Sequence, residues 1–323
     1  MPDAPVIAPS GLEATSCLLC GSINAQPFLT LTDMLLGLGG TFSLVRCRQC
    51  RLVYQNPRPA ESAIGAYYPP EYDPFVAPPW TEWRIIPRLV QLHGPRKRWR
   101  LIERWAARRD GPRRILDVGC ATGIFLAAGS HEWQKVGVEL TEDAAAFARK
   151  AFGLTIHQGT LEAAPLTAGE FDVVTMWDVV EHLHHPRRTL ERIGELLRPD
   201  GIFVFRVPNL DAWDARLFGR YWAGLDQPRH LFVPDEQTIS RLLSATGFVE
   251  VDRQCLSGTY GVLVLSWRFW VQRHVQDARS RRRLERLIDN FATRLLLSPT
   301  LWIVDKVAKK GPLLTVVARP ARA

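Results

Sequence analysis

Two short cysteine pairs, Cys17-Leu-Leu-Cys20 and Cys47-Arg-Gln-Cys50, are the first residues of this chain whose type and spacing point to chemistry. A two-residue spacer brings both sulfurs of a pair to one edge of a tetrahedron, and four thiolates with bonds of ~2.3 Å suit Zn²⁺. With all four positions filled by protein, such an ion has no open place for substrate, so its role is structural. Disulfides and four uncoordinated buried thiols are the competing readings. The other two cysteines, Cys120 and Cys255, stand alone in apolar surroundings.

The second group is Ile115-Leu-Asp-Val-Gly-Cys-Ala-Thr-Gly-Ile-Phe125, which reads as a strand, a small-residue loop and the start of a helix. Glycines there let the backbone approach a ligand closely. Glu139 follows Gly119 by twenty residues, at the end of the next predicted strand, where a carboxylate can accept hydrogen bonds from both hydroxyls of a ribose. The dinucleotide pattern G-x-G-x-x-G fails, because Ala121 stands where its second glycine would be. Asp117 would repel a diphosphate, yet it can hydrogen-bond an ammonium. A nucleoside that carries an amino acid meets both conditions, a combination that favours S-adenosylmethionine.

Histidines supply the third group, because a general base is most effective with a pKa near neutrality. His182 lies just past the predicted strand Phe171 to Met176, and His230 follows the predicted strand Ile202 to Val207 in Gln227-Pro-Arg-His230. Both positions fall on the carboxyl edge of a parallel sheet, where ligands bind. His230 and His182 are therefore the candidate bases, with a hydrogen-bonded structural histidine as the competing reading for each. His184 and His185, beside Pro186, suit a loop cap. The donor fork of Arg229 suits a phosphate or carboxylate on an acceptor.

These groups need a scaffold, and the pattern supplies one. From residue 113 onward strand and helix signals alternate: Arg114 to Val118, Gly123 to Ser130, Lys135 to Glu139, Glu142 to Phe152, Leu154 to His157, Phe171 to Met176, Pro186 to Leu197, Ile202 to Val207. Such alternation predicts an α/β fold, a doubly wound, Rossmann-like and mostly parallel sheet, because parallel strands are joined only through crossovers. Upstream, Phe28 to Leu31 and Phe42 to Val45 around Gly37 to Gly40 predict a hairpin between the cysteine pairs. Residues 56–80 are dense in proline and aromatic side chains and read as a connector, followed by two helices over 81–109 with a break near Gly94-Pro95. The division expected is 1–56 as a zinc-ribbon-like module, 57–112 as connector and leading helices, and 113–323 as the main domain, with a helical insertion at 256–312 before a last strand at Leu313 to Ala318.

The residues from about Arg113 to Glu250 resemble the class I, Rossmann-like S-adenosylmethionine-dependent methyltransferases, with matching segments in family order. These are Ile115 to Gly123, Val138-Glu139-Leu140, Gly159-Thr-Leu161, Phe171 to His182, Leu197-Arg-Pro-Asp-Gly201 with Pro208-Asn209, and Gly247-Phe248. The cysteine pairs, followed by Leu52-Val-Tyr-Gln-Asn-Pro57, resemble the zinc-binding front end of a subgroup that includes sugar methyltransferases. The resemblance implies a seven-stranded sheet. It also implies that Asp117, Gly119, Cys120, Ala121 and Gly123 surround the methionine portion of the cofactor, that Glu139 meets the ribose, and that Leu140 and Leu161 face the adenine. Asp178 would stand at the mouth of the site. Many relatives carry an acid where this chain has Thr160, which leaves adenine recognition to backbone and to Glu162. In the sugar C-methyltransferases a histidine at the place of His230 acts as base beside an acid, and that neighbour here is Arg229.

Charge and composition bound the rest. The 323 residues are 46% hydrophobic and 23% charged, which excludes a disordered or fibrous chain. The longest uncharged apolar runs fall short of the ~20 residues of a spanning helix, and the first residues show no secretory pattern. A cytoplasmic location is the expectation, with the inner membrane face as the peripheral alternative. A net charge of +8 is concentrated in arginines near 84–109 and 268–286, a surface able to attract nucleic acid, anionic lipid or phosphate-bearing substrate. Tryptophans beside arginines in the insertion are what an interfacial helix shows, while helices packed over the substrate site or at a contact between copies are the preferred reading. The partner expected is a small-molecule or carrier-linked polar acceptor, such as a nucleotide-sugar. The alternatives are a zinc-containing nucleic-acid-binding or RNA-modifying protein and a non-catalytic cofactor-binding domain. Against nucleic acid, the segment between the cysteine pairs has few basic residues or aromatic side chains for stacking.

Overall fold

The computed structural model describes residues 11–69, 85–107, 111–256 and 258–321, with backbone alone over 85–93. The chain forms two compact units, one made of Met1–Tyr67, Val207–Arg241 and Gln254–Leu314, the other of Tyr68–Arg206, Leu242–Arg253 and Thr315–Ala323.

The first unit begins with β1 (Leu12–Glu13), β2 (Ala25–Leu31), β3 (Phe42–Cys47), β4 (Val53–Gln55) and β5 (Arg58–Pro59). β2 and β3 are the predicted hairpin, antiparallel with Leu29 opposite Leu44, and β3 pairs in turn with β4. Phe42 and Leu44 are buried while Ser43 between them is less so, the alternation that fixes which face of a strand is covered. Gly39 and Gly40 turn the chain back at φ of 81° and 87°, in the left-handed region that glycine enters without strain.

The second unit holds α1 (Ile85–Trp105) and, after it, β6 (Arg113–Val118), α2 (Ile124–Ala127), β7 (Trp133–Glu139), α3 (Glu142–Phe152), β8 (Thr155–Gln158), β9 (Phe171–Trp177), α4 (Pro186–Leu196) and β10 (Leu197–Pro208). α1 is one helix where the sequence pattern predicts two. Pro95 forfeits a backbone hydrogen bond inside it, but burial of Trp99, Leu101 and Ile102 on the following turns holds the helix through the break signal. The start of the expected pair, at 81–84, and 108–110 at its end lie outside the described residues, as does 70–80 of the connector. β10 is longer than predicted, with Arg198-Pro-Asp-Gly201 accommodated as an irregularity between Leu197 and Ile202.

With β12 (Phe248–Gln254) and β13 (Leu313–Pro320) the sheet has seven strands in the order β12-β13-β10-β9-β6-β7-β8. The pairs β10–β9, β9–β6, β6–β7 and β7–β8 are parallel. β9 is buried along its whole length, as befits a strand covered on both faces. The fold is the predicted doubly wound α/β sheet.

A small strand far down the chain, β11 (Phe232–Val233), joins the first unit's sheet and makes it four-stranded, in the order β11-β4-β3-β2. Leu31, Leu44 and Val53 pack there with Trp222, Leu225 and Val233. Completing the chain are α5 (Trp213–Phe218), α6 (Glu236–Ala245), α7 (Thr259–His274), α8 (Ala278–Ile288) and α9 (Phe291–Ile303), the last three forming the predicted insertion.

Candidate active site and thiol cluster

At the carboxyl end of β6 the chain turns at Gly119 (φ 72°) and Gly123 (φ 76°), with Ala121 between them also left-handed at φ 46°. Both glycines are required by packing as well as by conformation. A Cβ on Gly119 would lie 2.6 Å from Val179, and one on Gly123 would lie 2.7 Å from Leu154 and 2.9 Å from Ala148. The Cys120 thiol turns inward, where a Cβ on Gly137 would meet its sulfur at 2.6 Å, and its Sγ donates to the Ala121 carbonyl of the loop at 3.9 Å. Buried among carboxylates and apolar atoms, that thiol has its pKa pushed up.

Glu139 binds this loop from the end of the neighbouring strand. Its Oε2 accepts the Ala121 amide at 2.8 Å and its Oε1 accepts the Thr141 amide at 2.9 Å. Each carboxylate oxygen has a second lone pair for a further donor. Leu140 beside it is 66% exposed, an open apolar surface next to a polar anchor, whereas Leu161 is buried. The Thr160 hydroxyl accepts the Ala163 amide at 3.3 Å, and Glu162 accepts the Thr189 hydroxyl at 3.2 Å.

Asp117 is buried on β6, opposite Thr175 of β9, whose hydroxyl donates to it at 2.6 Å. Burial pushes its carboxyl up to about 7, against the hydrogen bond from Thr175 and the charge of Arg98, which favour ionisation. A buried acid poised at neutrality suits a cationic ligand group.

Asp178 follows β9 in a left-handed conformation, φ 60°. It ion-pairs with Arg206 of β10 through the guanidinium Nε and Nη2, the Nε contact being 2.7 Å. Burial alone would raise the Asp178 pKa, but Arg206 and Arg98 hold it below the usual carboxylate range. Arg98, from α1, stands 3.9 Å from Asp178 and 4.5 Å over the ring of Trp177. Burial, then the neighbouring Arg206, lower the Arg98 pKa to about 9. The helix that carries Arg98 is fixed to the glycine loop by Trp99, which stacks on Phe125 at 5.2 Å and donates to its carbonyl at 2.7 Å. Sequence reasoning missed Arg98 and Trp99, although their place one helix ahead of β6 was the available signal.

His182 lies in a turn of 3₁₀ helix after β9, with its Nδ1 2.8 Å from the Tyr68 hydroxyl. His230 belongs to the first unit, just before β11. Its Nδ1 lies 2.9 Å from the Gly224 carbonyl, which can only accept, so Nδ1 carries the proton and Nε2 is the acceptor of the neutral ring. Arg229 does not serve an acceptor. It is fully buried, with its fork on Asp33 at 2.7 and 3.0 Å and on Asp226 at 2.7 and 3.0 Å. The correction has a physical cause, since a buried guanidinium is stable only beside carboxylates that match its donors.

In the same unit the four predicted cysteines converge. Cys17 and Cys50 sulfurs are 3.3 Å apart, those of Cys20 and Cys47 are 3.6 Å apart, and all four lie within 4.8 Å of one another. These separations exceed the ~2.05 Å of a disulfide and are near the edge of a tetrahedron with ~2.3 Å bonds. Burial pushes the Cys17 thiol up to about 11. Cys47, despite burial, is held at about 7 by the amides of Cys50 and Gln49. The donor set is that of a tetrahedral thiolate site.

Comparison with known proteins adds four findings. Residues 90–253, about half of the chain, match the family described as methyltransferase domain. The chain is 27% identical over 212 residues to a probable S-adenosylmethionine-dependent methyltransferase of Mycolicibacterium smegmatis, a match covering 62% of this chain and 79% of that one. It is 35% identical over 117 residues to a ubiquinone biosynthesis O-methyltransferase of Aromatoleum aromaticum, covering 32% of this chain. The match spans about half (49%) of that relative's length. Among solved structures, an S-adenosylmethionine-dependent methyltransferase from Mesorhizobium loti aligns with 20% identity and a TM-score of 0.45, covering 69% of this chain and 97% of its own.

Proposed function

The chain belongs to the class I S-adenosylmethionine-dependent methyltransferases, whose domain its residues 90–253 match, and we propose that it methylates a small or carrier-linked polar acceptor. The observation that carries this reading is the Glu139 carboxylate, held on the glycine loop by two amides with one lone pair on each oxygen left for a ribose hydroxyl. Asp117 would hold the cofactor's ammonium, the backbone from Gly119 to Gly123 its methionine portion, and Leu140, Leu161 and the backbone at Thr160 its adenine. Arg98 is the cation available to its carboxylate, and Asp178 keeps Arg98 and Arg206 in place. The cofactor, when bound, supplies a methyl group already activated on sulfur. What the protein adds is alignment of the acceptor and removal of its proton.

His230 is the base this reading favours, because the Gly224 carbonyl holds its Nδ1–H and leaves Nε2 as the acceptor of the neutral ring. His182, oriented by Tyr68, is the second candidate. Cys17, Cys20, Cys47 and Cys50 hold one structural Zn²⁺. An anionic handle on the acceptor, such as the diphosphate of a nucleotide-sugar, would suit a cleft of about 420 Å³ in the first unit, lined by Arg46, Arg51 and Arg216 together with Asp211 and Asp235. Of the acids in that cleft, Asp235 is already engaged by the Thr238 amide.

The test is transfer of labelled methyl from S-adenosylmethionine into a fractionated extract of the source cells, with Glu139→Ala as blank. Label in the water-soluble, anion-exchange-retained fraction supports the proposed acceptor. Label in RNA or lipid replaces it, and no label above the blank contradicts methyl transfer.

A further inference from the structure

Twelve large hydrophobic side chains are exposed among the described residues, and seven of them fall between 287 and 307. On α9 these are Phe291 (78% exposed), Leu295, Leu296 (77%), Trp302 (60%) and Ile303. At ~100° per residue the five occupy one arc of about 140°. The opposite side of the helix carries Leu301, which is buried, and Leu297, which is half-buried. α9 is thus apolar on the side that packs and apolar again on the side that faces out.

The neighbouring elements hold it in that attitude. α7 buries Leu263, Val264, Phe269 and Val271. Its Tyr260 hydroxyl donates to the carbonyls of Ile288 and Asn290, and its Trp267 ring donates to the Leu284 carbonyl at 2.8 Å. Asn290 then caps α9, accepting the Thr293 amide at 2.9 Å. The segment that carries the arc is unevenly charged, with nine basic and four acidic side chains between 273 and 309. Three of the acids are spent within the fold: Asp277 caps α8, Asp289 pairs with Arg268, and Asp305 accepts the Thr259 hydroxyl. Arg282, Arg283 and Arg286 of α8 remain exposed.

We propose that α8 and α9 dock this chain on an anionic lipid bilayer. The arc of α9 enters the boundary between headgroups and acyl chains, and the α8 arginines lie on anionic headgroups. α9 has 13 residues, and no helix among the described residues is long and apolar enough to cross a membrane, so this helix lies in the plane of the surface. Trp302 has the amphipathic ring that favours that depth. A second copy of the chain is the weaker occupant, because a symmetric contact would bring two copies of this basic segment together. The inference stands on the surface alone and is independent of the methyl-transfer reading.

Flotation of the purified full-length protein with phosphatidylglycerol-rich vesicles tests it, with phosphatidylcholine vesicles as the control. The wild type is expected to float with the anionic vesicles and to release as salt is raised. Two variants at exposed positions, Leu296→Glu with Trp302→Ala and Arg282→Glu with Arg283→Glu, are each expected to weaken binding at least about tenfold with unchanged circular dichroism. Absence of flotation at low salt overturns the proposal. So does a concentration-dependent dimer in sedimentation that the Leu296→Glu, Trp302→Ala variant abolishes, which would give the face to a second copy.

Discussion

Glu139 and Ala121 are joined across the carboxyl edge of the sheet, the carboxylate at the end of β7 accepting the amide of the loop after β6 at 2.8 Å. The bond makes this acid the clamp of the glycine loop, and under the proposed function the same carboxylate anchors a ribose. Ala121 sits in the left-handed region, at φ 46°, where a non-glycine residue is strained. That strain places its amide on the carboxylate.

Cofactor affinity should depend on pH through Asp117. Its carboxyl titrates at about 7 in the cofactor-free protein, because burial disfavours the charge. A bound ammonium favours the ionised form, so affinity rises as pH climbs through 7 and passes through a maximum near pH ~7.5, between the two ionisations. Between pH ~6 and ~7.5 the gain is about sixfold, and beyond that the ligand's amine, with an ordinary pKa near ~8, loses its own proton and affinity falls again. Titration calorimetry across that range checks it, and Asp117→Asn should flatten the profile. A wild-type profile flat over the range would contradict the assignment.

Replacing His230 by alanine should lower turnover by ~10²–10⁴-fold while the cofactor dissociation constant stays within about twofold. Single-turnover kinetics beside equilibrium binding separates the two quantities. Unchanged turnover would transfer the role of base to His182.

Arg229 is predicted to matter for stability and not for acceptor binding. Arg229→Met leaves Asp33 and Asp226 facing each other without their cation, a loss of roughly 3–5 kcal/mol for a broken buried pair. Urea denaturation measures it. A variant of wild-type stability with a raised KM would restore Arg229 to the acceptor.

The thiol cluster should hold about one equivalent of zinc in protein purified without a histidine tag. Cys47→Ser or prolonged chelation should lower Tm on the order of 10 °C, since metal binding is coupled to folding of the sheet that β11 completes. Elemental analysis well below one equivalent would overturn the zinc assignment.

Much of this architecture could be read from the residues themselves, and what could not be read has an identifiable cause. α3 occupies the predicted Glu142 to Phe152, because its acids at the first turn, basic residues at the last and Gly153 at its end agree with one another. The Cys-x2-Cys pairs were legible for a similar reason, their chemistry being local. Gly94-Pro95 misleads because a local break signal is overridden by the burial of Trp99 and Ile102. β11 has two residues and no periodicity, so only its pairing with β4 defines it. Arg229 was misread because its partner Asp33 lies 196 positions away, a distance over which charge patterning says nothing. Arg98 escaped notice for the converse reason: one arginine among many on a basic helix carries no mark until the fold sets it between Asp178 and Trp177.

The central claim is that the cradle built from Asp117, the glycine loop and Glu139 holds S-adenosylmethionine. Its most direct test is calorimetric titration of the purified protein with that compound, beside Glu139→Ala checked for an unchanged melting profile. The account predicts one site per chain and a loss of roughly 1.5–3 kcal/mol in the variant, the worth of hydrogen bonds to a charged group. No binding to the wild type, or equal binding to both proteins, would contradict it.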